Sequence, residues 1–274
     1  SVMHKDGKLA TPPIAICEVQ GYLYDAWQSG ANLAEKLDKV EEATSLRKRA
    51  KKLKEHFKRS FWLTEQNYVA LAIDGTKEPC SVIASNPGHL LSSGIIDKEE
   101  AMAIAERLLK NDMFSGWGIR TLSSKEKAYD PASYHNGSIW PHDNALIAAG
   151  LRQHQLHKEA ATVVAPLLEV AMQSKDKRLP ELFCGYPREH EKTPRPYAVS
   201  CMPQLWCVGS VFSMLENLTG LTRQGHVEKP QLPQGVNWIK FEIPDAAKNI
   251  GKAIEIKRQG KSDQFAAQVT VRQR

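Results

Sequence analysis

Tyr134-His135-Asn136-Gly137-Ser138-Ile139-Trp140-Pro141-His142-Asp143 packs two aromatic residues, two histidines, an amide, a hydroxyl and a carboxylate into ten positions. Asn136-Gly137 is a turn signal. Pro141 suits the first position of a helix, where its missing N–H is no loss, and Asp143 falls in the first turn, where negative charge is favoured. The stretch therefore predicts a polar, aromatic loop pinned to a helix N-terminus. Flat rings pack on the C–H face of a sugar while polar side chains take its hydroxyls, so Tyr134, His135, Asn136, Trp140, His142 and Asp143 are candidate sugar-binding residues. A helix cap flanked by two core aromatics accounts for the same letters. His135 and His142 lie on either side of the turn without the helical spacing of a ligand pair, so neither a metal nor another cofactor is expected.

Working outward, the helix entered at Pro141 should run to about His157 and be followed by a second, from Lys158 to about Gln173. A further helix is predicted from Pro203 to Gly220, with Leu205, Val208, Phe212, Leu215 and Leu218 inside it. Toward the N-terminus, a long helix begins after Pro12-Pro13. Ile16, Val19, Leu23, Ala26, Gly30, Leu33 and Leu37 recur on it at spacings of three and four, which predicts a buried stripe. Glu18, Tyr22 and Asp25 fall on a second face, either lining a polar cavity or simply wet. A helix over residues 41–59 opens on Glu41 and Glu42 and closes on lysines, in accord with the macrodipole. The link between these two helices is short, so they should form an antiparallel hairpin. Tyr68–Ile73 reads as a short strand and Asn86-Pro87-Gly88-His89 as a turn. Asp97-Lys98-Glu99-Glu100 reads as an acidic capping box opening a helix to about Lys110.

This gives about six helices in three successive hairpins, where a closed toroid of six hairpins needs roughly twice as many. The fold class is therefore mainly α: a toroid-type helical barrel, incomplete here, over residues 1–222. Pro230, Pro233 and Gly235 lead into three stretches rich in β-formers near 236–243, 252–258 and 264–272, so residues 223–274 are expected to form a small β-rich appendage.

Two further segments carry candidate chemistry. In Gly116-Trp117-Gly118-Ile119-Arg120, glycines around a tryptophan make a close-packed turn. Trp117 is a sugar platform beside the planar donor fork of Arg120, or else a core ring beside a surface arginine. In the Pro-rich loop 174–202, Leu179-Pro180-Glu181-Leu182-Phe183-Cys184-Gly185-Tyr186 holds a glutamate in a stiff, partly apolar setting. That suits a catalytic carboxylate, although an ion-paired surface glutamate is the commoner outcome.

Charge and composition narrow the function. The net charge of +6 is local, because residues 47–59 hold eight basic residues against Glu55 and leave −1 for the rest. A basic helix could touch phosphates, but no aromatic or glycine-loop pattern of a nucleic-acid module accompanies it, so a solvated outer face is the better reading and no nucleic-acid partner is expected. No apolar run is long enough to span a bilayer. The five cysteines are scattered, odd in number and without a Cys-x-x-Cys, as in a protein with buried free thiols in a reducing, cytoplasmic setting. Ser1-Val2-Met3-His4-Lys5-Asp6-Gly7 has neither a signal core nor a starting methionine, and reads like a chain entered mid-domain.

Pro13-Ile14-Ala15-Ile16-Cys17-Glu18-Val19-Gln20-Gly21-Tyr22, Gly116-Trp117-Gly118-Ile119-Arg120-Thr121-Leu122, Tyr134 through Asn144, and Pro180-Glu181-Leu182-Phe183 occur in that order. Together they resemble the bacterial amylo-alpha-1,6-glucosidase family, in the glycogen-debranching-like clan of glycoside hydrolases with an (α/α)6 barrel, over most of residues 1–240. The resemblance implies an oligosaccharide or α-glucan substrate, two carboxyl groups and inversion at the anomeric carbon. Glu181 matches the family's general base. The family's general acid is an aspartate in a Trp-Lys-Asp-Ser type segment. Ser1 looks like the serine of that segment, which places the acid ahead of residue 1 and leaves a non-catalytic carbohydrate-binding piece as the alternative. By the same resemblance Trp117, Arg120, Tyr134, His135, Trp140 and Tyr186 shape the glucosyl pocket, and Glu18 binds sugar hydroxyls.

Overall fold

The computed structural model describes residues 2–222, 224–245, 250–260 and 264–273. Ser1, aligned above with the acid-bearing segment, lies outside the described residues.

Six α-helices are found among the described residues: α1 (Cys17–Lys36), α2 (Val40–Phe61), α3 (Lys98–Leu108), α4 (Pro141–Gln153), α5 (His157–Gln173) and α6 (Leu205–Thr219). The predicted turn at Asn86-Pro87-Gly88-His89 is the start of a 3-10 helix, Asn86–Ser92. α1, this 3-10 helix, α4 and α6 are neighbours in succession. A second layer backs them: α2 lies on α1, α3 on the 3-10 helix, and α5 on α4 and α6. Between the layers runs the main core, from Cys17, Phe57 and Phe61 through Leu90, Ile104 and Ile147 to Val163, Leu167 and Met214.

The hairpin α1–α2 turns through Asp38, which takes a left-handed φ of 58°. The capping box forms at α3, with the Asp97 backbone N–H donating to Glu100 Oε2 at 2.7 Å. Asp97 also receives Lys54 and Lys58 of α2, at 2.8 and 3.2 Å, and Arg47 pairs with Glu35 of α1. Part of the basic face of α2 thus tacks the outer layer together.

Two sequence-predicted stripes lie elsewhere. On α1 the buried residues are Cys17, Gly21, Ala31 and Ala34, whereas Val19, Leu23, Leu33 and Leu37 are exposed. The reason is the approach distance. A Cβ at position 21 would run into Leu90 of the 3-10 helix and crowd Ser93 just after it, so the small-residue face is the one that docks. On α6 the buried residues include Cys207, Ser210, Met214 and Leu218, while Leu205 and Phe212 are 84% and 65% exposed. Each end of the inner succession therefore presents bulky apolar side chains to solvent.

Short strands stitch the loops. β1 (Ala15–Ile16) pairs with β4 (Ala72–Ile73), which pairs with β5 (Pro79–Cys80), and β2 (Trp62–Leu63) pairs with β3 (Tyr68–Val69), all antiparallel. The predicted strand 68–73 is thus divided between two sheets. At the C-terminus β6 (Trp238–Asp245), β7 (Ile250–Arg258) and β8 (Phe265–Gln273) form an antiparallel meander, whose Ile254 and Ile256 pack with Leu232. Cys17, Cys80, Cys184 and Cys207 are buried free thiols, and Cys201 is an exposed one. No helix among the described residues is long and apolar enough to cross a membrane.

Candidate active site

The inner helices open onto a cavity of about 570 Å³, within the range of small-molecule sites. Its walls come from Glu18 and Tyr22 of α1, His89 of the 3-10 helix, His142 and Asp143 of α4, Trp206 of α6, and the loop residues His135, Asn136 and Trp140. Four separate elements thus aim polar and aromatic groups at one space.

The loop before α4 is positioned from below. Asn144, fully buried, accepts the Ile119 N–H at 2.7 Å and donates to the Ile119 and Trp140 carbonyls at 3.1 and 3.0 Å. Gly118 permits this, since a Cβ there would meet Ile139 and the Asn144 amide. Trp140 is held edge-on by Nε1–H bonds to Ser138 Oγ (3.0 Å) and the Tyr134 carbonyl (3.2 Å). Its ring meets Tyr134 at 4.8 Å and Trp206 at 6.2 Å, both near perpendicular. Trp206 stacks flat on His142, with centroids 4.0 Å apart.

Glu181 reaches this cluster through backbone pairing. Ile139 and Phe183 exchange N–H···O bonds of 2.9 and 3.1 Å, and bridges to Arg120 and Pro196 extend the pairing on either side. Position 181 thereby comes beside the ring-bearing loop. Tyr134 donates its hydroxyl to Glu181 Oε1 at 2.8 Å, the Cys201 N–H donates to Oε2 at 3.2 Å, and Gln204 Nε2 donates to Oε1 at 3.4 Å. Burial raises the affinity of Glu181 for a proton, but the Tyr134, Cys201 and Gln204 hydrogen bonds outweigh it and leave the carboxyl below its ordinary value. Glu181 is thus an ionised acceptor. Neither it nor Tyr134 lines the cavity; Tyr134, which holds Glu181, packs against the cavity-lining Trp140 ring.

The cavity also holds an arrangement that sequence reading missed. His89 is gripped at both ring nitrogens, by the Tyr22 hydroxyl at Nδ1 (2.6 Å) and by Asp143 Oδ1 at Nε2 (2.5 Å), with Glu18 Oε2 at 3.9 Å from Nδ1. Burial disfavours charge on both His89 and Asp143, yet their mutual bond wins, so His89 lies above and Asp143 below its ordinary value. His89 stands 54 residues from Asp143 in a segment that reads only as a turn. Trp206 likewise gave no signal beyond its place at the start of a helix.

Besides Glu181 and Tyr134, three more sequence-predicted residues do not line the cavity. Trp117 is 1% exposed and lies under the Arg188 guanidinium, 4.2 Å from its ring centre, so it is a core ring. Arg120 is 2% exposed and spends its fork on backbone, Nε on the Gly185 carbonyl (2.7 Å) and one Nη on that of Asn111 (3.0 Å). The turn that brings Gly118 against Asn144 rotates Arg120 into the protein, where it acts as a strut between loops. Tyr186 is half-buried against Arg195, at 4.1 Å.

Residues 4–193 match the profile of the mannosylglycerate hydrolase MGH1-like glycoside hydrolase domain. The chain belongs to this family. The MGH1-like chain has no match among curated protein sequences. Among solved structures it is similar to the mannosylglycerate hydrolase from Thermus thermophilus in complex with glucose (17% identity, TM-score 0.60, covering 74% of this chain and 45% of that one). It is also similar to the neutral trehalase from Saccharomyces cerevisiae (14% identity, TM-score 0.58, 80% of this chain and 40% of that one). A structure described as a sialidase aligns over 98% of this chain and 26% of its own (13% identity, TM-score 0.64). At these identities the likeness is one of fold. The MGH1-like chain spans less than half the length of each of these proteins.

Proposed function

We propose that the chain is part of an inverting glycoside hydrolase in which Glu181 is the general base, acting on α-linked glucosides of the amylo-alpha-1,6-glucosidase type. The observation that carries this reading is the hydrogen-bonded setting of Glu181. Its carboxylate is kept ionised by Tyr134, Cys201 and Gln204 beside the ring-lined cavity. Inversion uses one carboxylate to take a proton from water while an acid on the other face of the sugar, roughly 6.5–9.5 Å away, protonates the leaving oxygen. A base for that step has to be charged before the substrate arrives.

In this reading residues 1–222 are part of an (α/α)6 ring and residues 223–274 a separate β appendage. The exposed apolar faces of α1 and α6, at the two ends of the inner succession, are where further helices of the ring would pack. The short coverage of the longer relatives supports the same view. Glu181→Gln removes the base and keeps the shape. Turnover of an α-1,6-linked glucoside should fall by about two to four orders of magnitude, and product from the active protein should appear first as the β-anomer by proton NMR. Undiminished turnover in E181Q, or initial release of the α-anomer, would reject the assignment.

A second reading, sugar binding without turnover, is favoured by one observation. Asp143, a carboxylate lining the cavity, is held ionised by His89 and so cannot stand in for the general acid expected ahead of residue 1, which must keep its proton. On that reading the chain binds sugar and releases no product.

A further inference from the structure

The proposed hydrolysis makes no use of a hydrogen-bonded arrangement on the cavity wall, the series Tyr22–His89–Asp143. Its geometry is directional. Asp143 is ionised and accepts from His89 Nε2–H, so the state of the other nitrogen, Nδ1, decides what Tyr22 does. With His89 neutral, Nδ1 is an acceptor and receives the phenol's O–H hydrogen bond, and Tyr22 then offers the cavity only lone pairs. With His89 charged, Nδ1–H donates to the phenol oxygen, and the Tyr22 O–H is free to donate into the cavity.

Tyr22 is about half exposed and lines the cavity together with Glu18, four residues before it on the same helix. Glu18 as a carboxylate accepts only. A sugar hydroxyl has one proton to give and an oxygen that also accepts. It satisfies both neighbours at once only if it donates to Glu18 and receives from Tyr22. We propose that Tyr22 and Glu18 together bind one sugar hydroxyl, and that the buried His89–Asp143 pair is a positioning device that turns the Tyr22 phenol into the donor. The inference rests on reading the cavity as a sugar site, but not on the role of Glu181.

The groups facing His89 are Glu18 and Tyr22 from α1, and Asp143 and His142 from α4, with His135 on the loop across the cavity. Burial, with the charges of Glu18 and Asp143, pushes Tyr22 up to about 12, so it remains a phenol. Burial lowers both His142 and His135, so they lose their protons below the range in which His89 does. As pH rises above the ordinary imidazole value, His89 is the imidazole facing Tyr22 that changes state. Affinity for the sugar should therefore be high on the acid side of this change and fall as His89 loses its proton.

The test is a titration with D-glucose, followed by ligand-observed NMR at pH 6 and pH 9 on the full chain and on Y22F and H89Q. Wild type should bind more weakly at pH 9. Y22F should bind about five- to ten-fold more weakly at pH 6 while remaining folded, with a lowered melting temperature because His89 Nδ1 loses its partner. H89Q should lose the pH dependence. As a second measurement, the His89 ring nitrogens of the wild type should report a protonation midpoint above 6.5 that rises further with glucose. The inference is overturned by no saturable binding of glucose by wild type, by unaltered affinity in Y22F, or by persistence of the pH effect in a folded H89Q. None of those results bears on Glu181, whose assignment falls instead with retained hydrolysis in E181Q.

Discussion

Replacing Arg120 by methionine separates a strut from a ligand contact. In the structure the Arg120 Nε–H donates to the Gly185 carbonyl at 2.7 Å within the protein interior, and one Nη donates to the Asn111 carbonyl near the surface. A buried bond from a charged donor is worth about 1.5–3 kcal/mol. Asn111 is exposed, so water takes over its carbonyl and that bond adds little. Gly185 O keeps the weaker Tyr129 hydroxyl at 3.2 Å, which returns a fraction of the loss. Burial lowers the Arg120 proton affinity, so removing the charge also relieves a desolvation cost, and methionine refills most of the volume. The balance is a loss of about 2 kcal/mol, or roughly 4–8 °C in melting temperature for a chain of this size. Urea unfolding of wild type and R120M, read by tryptophan fluorescence, gives the difference directly. Glucose affinity should change by less than about three-fold while the protein is folded. Unchanged stability together with a ten-fold loss of sugar affinity would refute the reasoning and return Arg120 to the cavity.

Gly209 sits inside α6 with open space where a Cβ would go, so Gly209→Ala should raise stability by about 0.5–1 kcal/mol in the same urea assay. Asp97→Ala removes the cap of α3 and the anchor for Lys54 and Lys58, and should cost about 1–2 kcal/mol. The His89–Asp143 pair fixes a pH window. His89 lies above its ordinary 6.5, so its contribution is complete below that value and lost as pH rises through the folded value. Asp143 lies below its ordinary 3.8, so its contribution is complete above that value and lost as pH falls. Stability followed against pH should peak between about 4 and 6.5, and H89Q should flatten the alkaline decline. Because Glu181 is held below its ordinary 4.5, the acid limb of kcat/KM should fall below that value, and Tyr134→Phe should move it upward; an unmoved limb would mean that another group sets it.

The local pattern of this chain was sufficient for the helices and for the anchor of the ring-bearing loop. Apolar periodicity, the Asp97 box and Pro141 are short-range signals, and the six α-helices begin and end close to where those signals put them. The placement of Glu181 beside Tyr134 needed the bridge between Ile139 and Phe183, but its stiff, partly apolar setting was already visible in the letters around it.

What periodicity could not give is which face docks. Val19, Leu23 and Leu33 form as regular a stripe as any, yet Gly21, Ala31 and Ala34 are buried, because close approach of helices is decided by the partner and not by the helix's own sequence. The same limit applies to Trp117 and Arg120, which carry sugar-binding chemistry but are turned inward by the contact of Gly118 with Asn144. His89 met Asp143 and Tyr22 only in three dimensions, 54 and 67 residues away. A hydrogen bond between distant segments leaves no mark on either, so the chain sequence named the chemistry available, and tertiary packing chose which of it faces the cavity.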